Sequence, residues 1–564
     1  MDLKHSKLIE MALMPAGTPT FTDIIHKLEA DPDLSDLRRR DLISGLRRVA
    51  KALGRQPEET FAEPNWLRPF LSKVAPAALG LSVKGWQNAV SDARSALAQV
   101  GIVKRRIRHT DDLDTAWRGL WLGVLALGDH NLTAGLGRFI HFLNNLCVAP
   151  GAVTQAHADA FLAGLQADEI AKSPESSWRN AVNAWNHAKD RVAGWPGVVL
   201  VLPKRRDTIK LPDAALPPAF LADLDAFMKQ LSHPDPFADD GPMRAIAPST
   251  MKQRVSMLKR FASELLHAGV PADSLDSVAA ICAPDIAKQG LQAMFARNNN
   301  QKGVVIQDMA SILVLSARRL GLDKVGIAQL ADLERRMAMP PQRGMTRKNR
   351  DRLRVLRDNA TVLRLLDLPD RLFAPSRNLK PAAAALARED AFAVALLLVC
   401  PLRVKNIAEI RMDHHLQRPG DGRVFLVFAE CEVKNDRPME FELPAEVRRM
   451  LDKHLASRSP LLCPAGTPWL FPRRDGKGPV DTSTLSTRLK QRILKETGIV
   501  MNAHLFRHLA AMLYLNENPG AYEAVRRLLG HSSVSKTIAV YTGLETHAVI
   551  EAFGNVLRAK KGAR

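Results

Sequence analysis

Along most of the chain, apolar residues recur three and four positions apart, and Gly or Pro punctuates the joins between such stretches. That period is the signature of amphipathic helices, so the pattern predicts a mainly α-helical protein. The longest apolar run, Ala391 to Leu402, is interrupted by Pro401 and is too short to cross a bilayer, which predicts a buried helix. The texture changes once, where Val424–Phe428 and Met439–Leu443 read as two short strands joined by a turn at Lys434-Asn435-Asp436-Arg437. The fold class expected is therefore mainly α with a small β-sheet.

The first half repeats itself. Trp86-Gln87-Asn88-Ala89-Val90 recurs as Trp178-Arg179-Asn180-Ala181-Val182, and each copy leads through a helical stretch to a basic exit, Lys104-Arg105-Arg106 or Lys204-Arg205-Arg206. A third, weaker copy runs through Met251 to Leu266. The expected organisation is three small helical modules at about 1–110, 111–212 and 213–345, followed by a larger domain at 346–564. A Trp at helical spacing is usually core, so the tryptophans of this half are read as packing groups.

A chain of 564 residues is too long for one core, in keeping with several domains. With 46% hydrophobic and 25% charged residues it has the composition of a folded globular protein. The charge balance is less ordinary: 80 Lys and Arg against 59 Asp and Glu leave +21, which suits a polyanion, because each neutralised phosphate releases condensed counterions. Cys147, Cys282, Cys400, Cys431 and Cys463 are odd in number, scattered and never paired as C-x-x-C, so neither a disulfide framework nor a zinc site is expected. Met1-Asp2-Leu3-Lys4-His5 opens no apolar leader, and a cytoplasmic, nucleoid-associated location without membrane contact is expected.

Two basic segments are candidates for a DNA backbone. Arg347, Lys348, Arg350, Arg352 and Arg354 form a dense run entering the last domain, and Arg254, Lys259 and Arg260 lie on a helix beside apolar residues.

Chemistry concentrates in four fragments of the last domain: Pro401-Leu402-Arg403-Val404-Lys405-Asn406-Ile407, the turn at Lys434, His504-Leu505-Phe506-Arg507-His508, and Leu529-Gly530-His531 followed by Tyr541. Each is common alone; their order together is not. Phosphodiester transfer without a metal or a nucleotide-binding loop needs fixed cations on the non-bridging oxygens, and Arg403 and Arg507 suit that role. A phenol suits in-line attack, because the phosphotyrosine it forms keeps the bond energy for religation, and Tyr541 is the candidate. Lys434 on a hairpin tip can protonate the leaving 5′-oxygen, while His504 and His531 can orient the phosphate and exchange the phenolic proton. His504 and Arg507, three apart on a helix, share a face.

These fragments resemble the tyrosine recombinases, including phage integrases, whose order is Arg, Lys, H-x-x-R, His, Tyr. The resemblance spans about residues 350–564 and is most specific in Leu529-Gly530-His531-Ser532-Ser533 through Thr537 to Tyr541. It implies tandem helical (SAM-like) DNA-binding modules ahead of a catalytic domain, and catalytic roles for Arg403, Lys434, His504, Arg507, His531 and Tyr541 with Tyr541 as nucleophile. It also implies double-stranded DNA as substrate, a tetramer on DNA, an accessory DNA-bending or directionality factor, and no cofactor or metal. Tyr514 and Tyr522 miss the nucleophile spacing and are read as structural. Many members carry an acidic residue three positions after the first arginine. Here it is Asn406, whose amide can still hold the guanidinium by a hydrogen bond, and Glu409 is a possible substitute. The apolar stripe of Val549–Leu557 must be buried somewhere, either on a neighbouring protomer or on its own domain. There are two rival readings: a DNA-binding regulator that keeps the scaffold without the chemistry, and a type IB topoisomerase, which shares the phosphotyrosine chemistry but only relaxes supercoils.

Overall fold

The computed structural model describes residues 14–15, 17–203, 209–233, 245–342, 344–374, 379–434, 437–542 and 546–562. The sequence features Met1–His5, Lys204–Arg206 and Asn435–Asp436 lie outside them. Two compact units emerge, one of Met1–Leu202 with Arg343–Arg564 and one of Pro203–Gln342.

The first unit begins with two helical bundles. Helices Phe21–Glu29, Asp36–Ala52, Pro64–Leu71 and Val83–Gln99 enclose a core that includes Phe21, Leu46, Leu67, Trp86 and Leu97. Helices Thr115–Ala126, His130–Asn145, Gln155–Asp168 and Pro174–Ala188 enclose another, built on Trp117, Phe139, Trp178 and Trp185. The two Trp-containing segments occupy equivalent helices, each opened by a serine: Ser82 accepts from Gly85 N at 3.0 Å and Ser173 from Ser176 N at 3.2 Å. Each of these helices is also crossed closely at a glycine. A Cβ at Gly45 would lie 2.6 Å from Asp92 Cβ, and one at Gly135 would lie 2.6 Å from Ala184 Cβ. The bundles are tied by Arg68, whose Nε donates to Glu169 O at 2.8 Å, and by Ile170, which is buried in the first core.

The remainder of this unit surrounds helix Pro381–Val399, which is buried along most of its length. The helix stops before Pro401, where a proline ring and its missing N–H prevent continuation. Three antiparallel strands form the sheet in the order β1 (Leu416–Gln417), β2 (Phe425–Phe428) and β3 (Met439–Glu442), with Phe428 opposite Met439. β1 was not legible in the sequence. The β2–β3 connection is also longer than a tight turn, because a 3₁₀ turn at Glu430–Glu432 precedes Lys434. Helices Ala445–Ala456, Thr482–Thr497 and Ala503–Glu517 complete the core. Gly498 ends the second of these with φ +78°, and a Cβ there would lie 2.5 Å from Ala78 Cβ of the first bundle. Glycine is thus needed at that contact both for the left-handed backbone and for space.

The second unit holds helices Pro218–Ser232, Pro248–His267, Val278–Ile281, Pro284–Arg297, Val304–Arg319 and Lys324–Met337 around Phe220, Leu258, Phe261 and Leu313. Buried Glu264 pairs with Arg297 at 2.7 Å and approaches Arg260 at 3.9 Å, and Lys259 bonds Asp213 at 2.8 Å. Two of the three basic residues singled out here are therefore engaged with carboxylates of their own unit. The third, Arg254, is partly buried, which together with nearby Arg319 lowers its pKa.

Among the described residues no helix is long and apolar enough to cross a membrane.

Candidate active site

Four chain segments supply the site. Pro401-Leu402-Arg403 leaves the central helix, and Arg403 takes the N-cap position of the short helix Val404–Ala408. Asn502 caps helix Ala503–Glu517 by accepting from Leu505 N at 3.0 Å, which sets His504, Arg507 and His508 on the first turns. Gly530 ends helix Tyr522–Leu529 in the left-handed conformation, φ +59°, and turns the chain at His531. Ser533 then opens helix Val534–Tyr541, whose last residue is the tyrosine.

Arg507 is the hub. Its Nη1 donates to Pro401 O at 2.6 Å and its Nη2 to Leu529 O at 2.5 Å, so one buried guanidinium fixes both the Arg403 segment and the His531 turn. A guanidinium has five N–H groups, so three remain for a ligand. Burial lowers the Arg507 pKa to about 10, assisted by the like charge of Arg403, while the Tyr541 hydroxyl acts in the opposite direction. Arg403, half-buried, is also shifted down by desolvation.

Tyr541 is only 2% exposed, and its hydroxyl lies 3.2 Å from His508 Nδ1. Burial pushes the phenol up to about 12, with Arg507 opposing, so it is protonated at neutral pH. The His531 ring stacks parallel to the Tyr541 ring, with centroids 6.0 Å apart. Its Nδ1 is 3.0 Å from Thr537 Oγ1, and its backbone is held by Arg526, whose Nη1 donates to His531 O at 3.2 Å. Desolvation and the two arginines push His531 down to about 4 and shift His504 in the same direction. His508 is pushed down to about 3 by burial and then by His504, Arg507 and His531. All three imidazoles are therefore neutral at pH 7 and able to accept or relay a proton.

Five of the six residues singled out in the sequence thus share one site: Arg403, His504, Arg507, His531 and Tyr541. Lys434 is exposed, midway along the β2–β3 connection, and among the described residues its side chain is joined to the other five by no hydrogen bond or ion pair. Asn406 does not hold Arg403. Its Nδ2 donates instead to Glu432 O at 3.0 Å, which anchors the segment two residues before Lys434. Glu409 faces Lys405 at 3.7 Å. The residue the sequence reading missed is His508. It lies one helical turn after His504, a spacing that places both on one face and was there to be read.

Near the same connection, His414, His415 and Glu432 bring three metal-ligating atoms within 4.8 Å of one another. They do not suit a metal. His415 Nδ1 accepts the Arg411 N–H at 2.8 Å, so in the neutral ring Nε2 carries the proton and donates it to Glu432 Oε1 at 3.0 Å. A metal would need that nitrogen bare and the other one protonated.

The basic run forms helix Arg347–Arg354, capped by Thr346, with Leu353 buried and Arg347 and Arg354 near Asp351 at 3.9 and 3.5 Å.

The model of the phage integrase family matches residues 370–547, a span holding all six of these residues. This segment is thus similar to the phage integrase family, in keeping with the tyrosine-recombinase resemblance. No curated protein matches the chain. Similar solved structures include a lambda integrase(75-356) dimer bound to a COC' core site, with 17% identity, 57% of this chain and 96% of that chain covered, and TM-score 0.32. They also include XerH site-specific recombinase bound to difH substrate, with 12% identity, 59% and 94% covered, and TM-score 0.33. A third is the Tn1549 transposon integrase in complex with circular intermediate DNA, with 15% identity, 58% and 99% covered, and TM-score 0.32.

Proposed function

We propose that this chain is a site-specific DNA recombinase acting through a 3′-phosphotyrosine, in the integration or excision of a mobile element. The Tyr541 hydroxyl attacks a backbone phosphorus, forming an O–P bond as the P–O5′ bond breaks. Its proton passes to neutral His508, and the departing 5′-oxygen takes a proton from Lys434. Arg403 and Arg507 hold the non-bridging oxygens, with His504 and His531 beside them. Attack on the phosphotyrosine by a 5′-hydroxyl of another strand reverses these steps and joins the exchanged strands. The phosphotyrosine retains the energy of the broken ester, so the exchange needs no ATP, and no step calls for a metal.

The observation that carries this reading is the convergence on one buried phenol of two arginines and three neutral histidines from segments far apart in sequence. The charge of +21 supports a DNA partner. Self-association on DNA is supported by helix Thr546–Gly562, which leaves Val549, Ile550, Phe553, Val556 and Leu557 exposed on one stripe.

A DNA sequence selected from a random library by protection with the protein, placed twice in one plasmid, tests this assignment. Recombinant circles are expected. Relaxation of supercoils without recombinants would move the assignment to a type IB topoisomerase, and protection with neither product would move it to a DNA-binding regulator.

A further inference from the structure

The first bundle carries a cleft of about 400 Å³ into which five arginines converge: Arg38, Arg94, Arg105, Arg106 and Arg108. Only part of this charge is answered within the protein. Arg38 pairs with Asp92 at 3.0 Å. Arg106 reaches Glu169 Oε2 at 2.6 Å, but Arg138 claims the same oxygen at 3.0 Å, so one carboxylate serves two guanidiniums. Arg94, only 6% exposed, spends Nη2 on Lys104 O at 2.9 Å and feels Glu169 and Asp168 electrostatically, but among the described residues it forms no close ion pair of its own. The neighbouring Asp168 Oδ1 is occupied by Lys104 N at 2.9 Å. Arg105 and Arg108 stand exposed at the rim.

Two buried donors remain unanswered. The Nε of Arg94 and the Nε of Arg106 are shielded from solvent and have no hydrogen-bond partner among the described residues. Buried N–H groups are nearly always paired, and an uncompensated guanidinium in a desolvated cleft is costlier still. Burial and the surrounding like charges lower the Arg106 pKa to about 10, which leaves it fully charged at neutral pH. The cleft thus holds an excess of fixed positive charge that an anion would offset, in walls that leave two shielded donors unpaired.

We infer that this cleft is a phosphate-binding site, separate from the candidate active site, that takes a phosphate of a DNA backbone. A phosphate diester presents two non-bridging oxygens, which guanidiniums grip by paired hydrogen bonds. The two exposed arginines at the rim leave room for a chain that continues past the bound group, as a nucleic-acid backbone does. That source rests on the recombinase reading; the phosphate chemistry rests on the cleft alone. A free phosphorylated compound offers the same group and is the other source to be tested.

The full chain and its Arg105→Ala/Arg108→Ala double variant decide the matter, since both side chains are exposed and the fold should be retained, as matching melting curves would show. Each protein is also made with Tyr541→Phe, which removes the chemistry but not the cleft. Duplex DNA binding is followed by anisotropy across a salt series, and pyrophosphate binding by calorimetry. The double variant is expected to bind duplex at least about tenfold more weakly, with the slope of log K against log salt shallower by about 1 for each phosphate no longer neutralised. Loss of pyrophosphate binding with duplex binding unchanged would keep the phosphate site and assign it to a free ligand. Unaltered binding of both probes would overturn the inference. Failure of wild-type protein to form a tyrosyl adduct would count against the recombinase reading only, because the cleft is read in the Tyr541→Phe background as well.

Discussion

The Nδ1 of His508 lies 3.2 Å from the hydroxyl of Tyr541, and both side chains are buried. A phenol pushed up to about 12 and an imidazole pushed down to about 3 place the shared proton on the tyrosine until a phosphate arrives. His508→Ala should therefore slow covalent attachment to DNA by about 10²–10⁴-fold. Its rate should rise with pH, as hydroxide replaces the lost acceptor, while the wild-type rate stays flat between about pH 7 and 9 by the same reasoning. Single-turnover rates across that range measure it, and parallel profiles would reduce His508 to a packing group.

Arg507 bridges two carbonyls with the two arms of its guanidinium, Pro401 O and Leu529 O. Arg507→Lys keeps the charge but not the fork, and leaves at least one buried carbonyl unpaired, at a cost of about 1–3 kcal/mol. Both the melting temperature and the adduct rate should fall, the latter by about 10²–10³-fold. A variant that melts like wild type would show that the bridge is dispensable to the fold.

The duplicated helix crossings carry their own internal control. Gly135→Ala sets a Cβ 2.6 Å from Ala184 Cβ and 2.9 Å from Asn180 O, and Gly45→Ala sets one 2.6 Å from Asp92 Cβ. Overpacking of this kind costs about 1–3 kcal/mol, more than the helix propensity gained. Gly119→Ala, in a helix of the same bundle as Gly135 with nothing within 4 Å, should instead stabilise by up to about 1 kcal/mol. Denaturant midpoints of the three variants give the signs directly.

His454 stacks on Phe392 with centroids 5.2 Å apart, and its buried Nε2 has no partner among the described residues. Burial pushes it down to about 4 from the usual 6.5. The unfolded chain therefore binds a proton that the folded one refuses: the stability this contributes is complete above pH 6.5 and is lost as pH falls toward 4. The slope is about 1 kcal/mol per pH unit. His454→Phe should flatten the acid limb of a stability profile by that amount, and an unchanged limb would show that the ring is protonated in the fold.

Much of this was legible in the sequence because helical spacing carries three-dimensional information over short distances. His504 and Arg507 could be placed on one face from their separation alone, and Gly530 before His531 announced the turn. Long-range pairing left no such trace. Lys259 and Arg260 read as a free basic face, yet Asp213 and Glu264 engage them. Asn406 read as a partner of Arg403, yet its amide reaches Glu432 across the fold. A strand of two residues, Leu416–Gln417, is too short for alternation to register, and it forms because β2 offers it a ladder.

The central claim is that Tyr541 becomes bonded to a DNA phosphate. Its most direct test is covalent capture on a library of nicked duplexes, whose short fragment diffuses away after cleavage, followed by mass spectrometry of the tryptic phosphopeptide. Capture with the nucleotide on Tyr541, and none in Tyr541→Phe, is the result expected. Capture on Tyr514 or Tyr522, or an adduct that survives in Tyr541→Phe, would contradict the account.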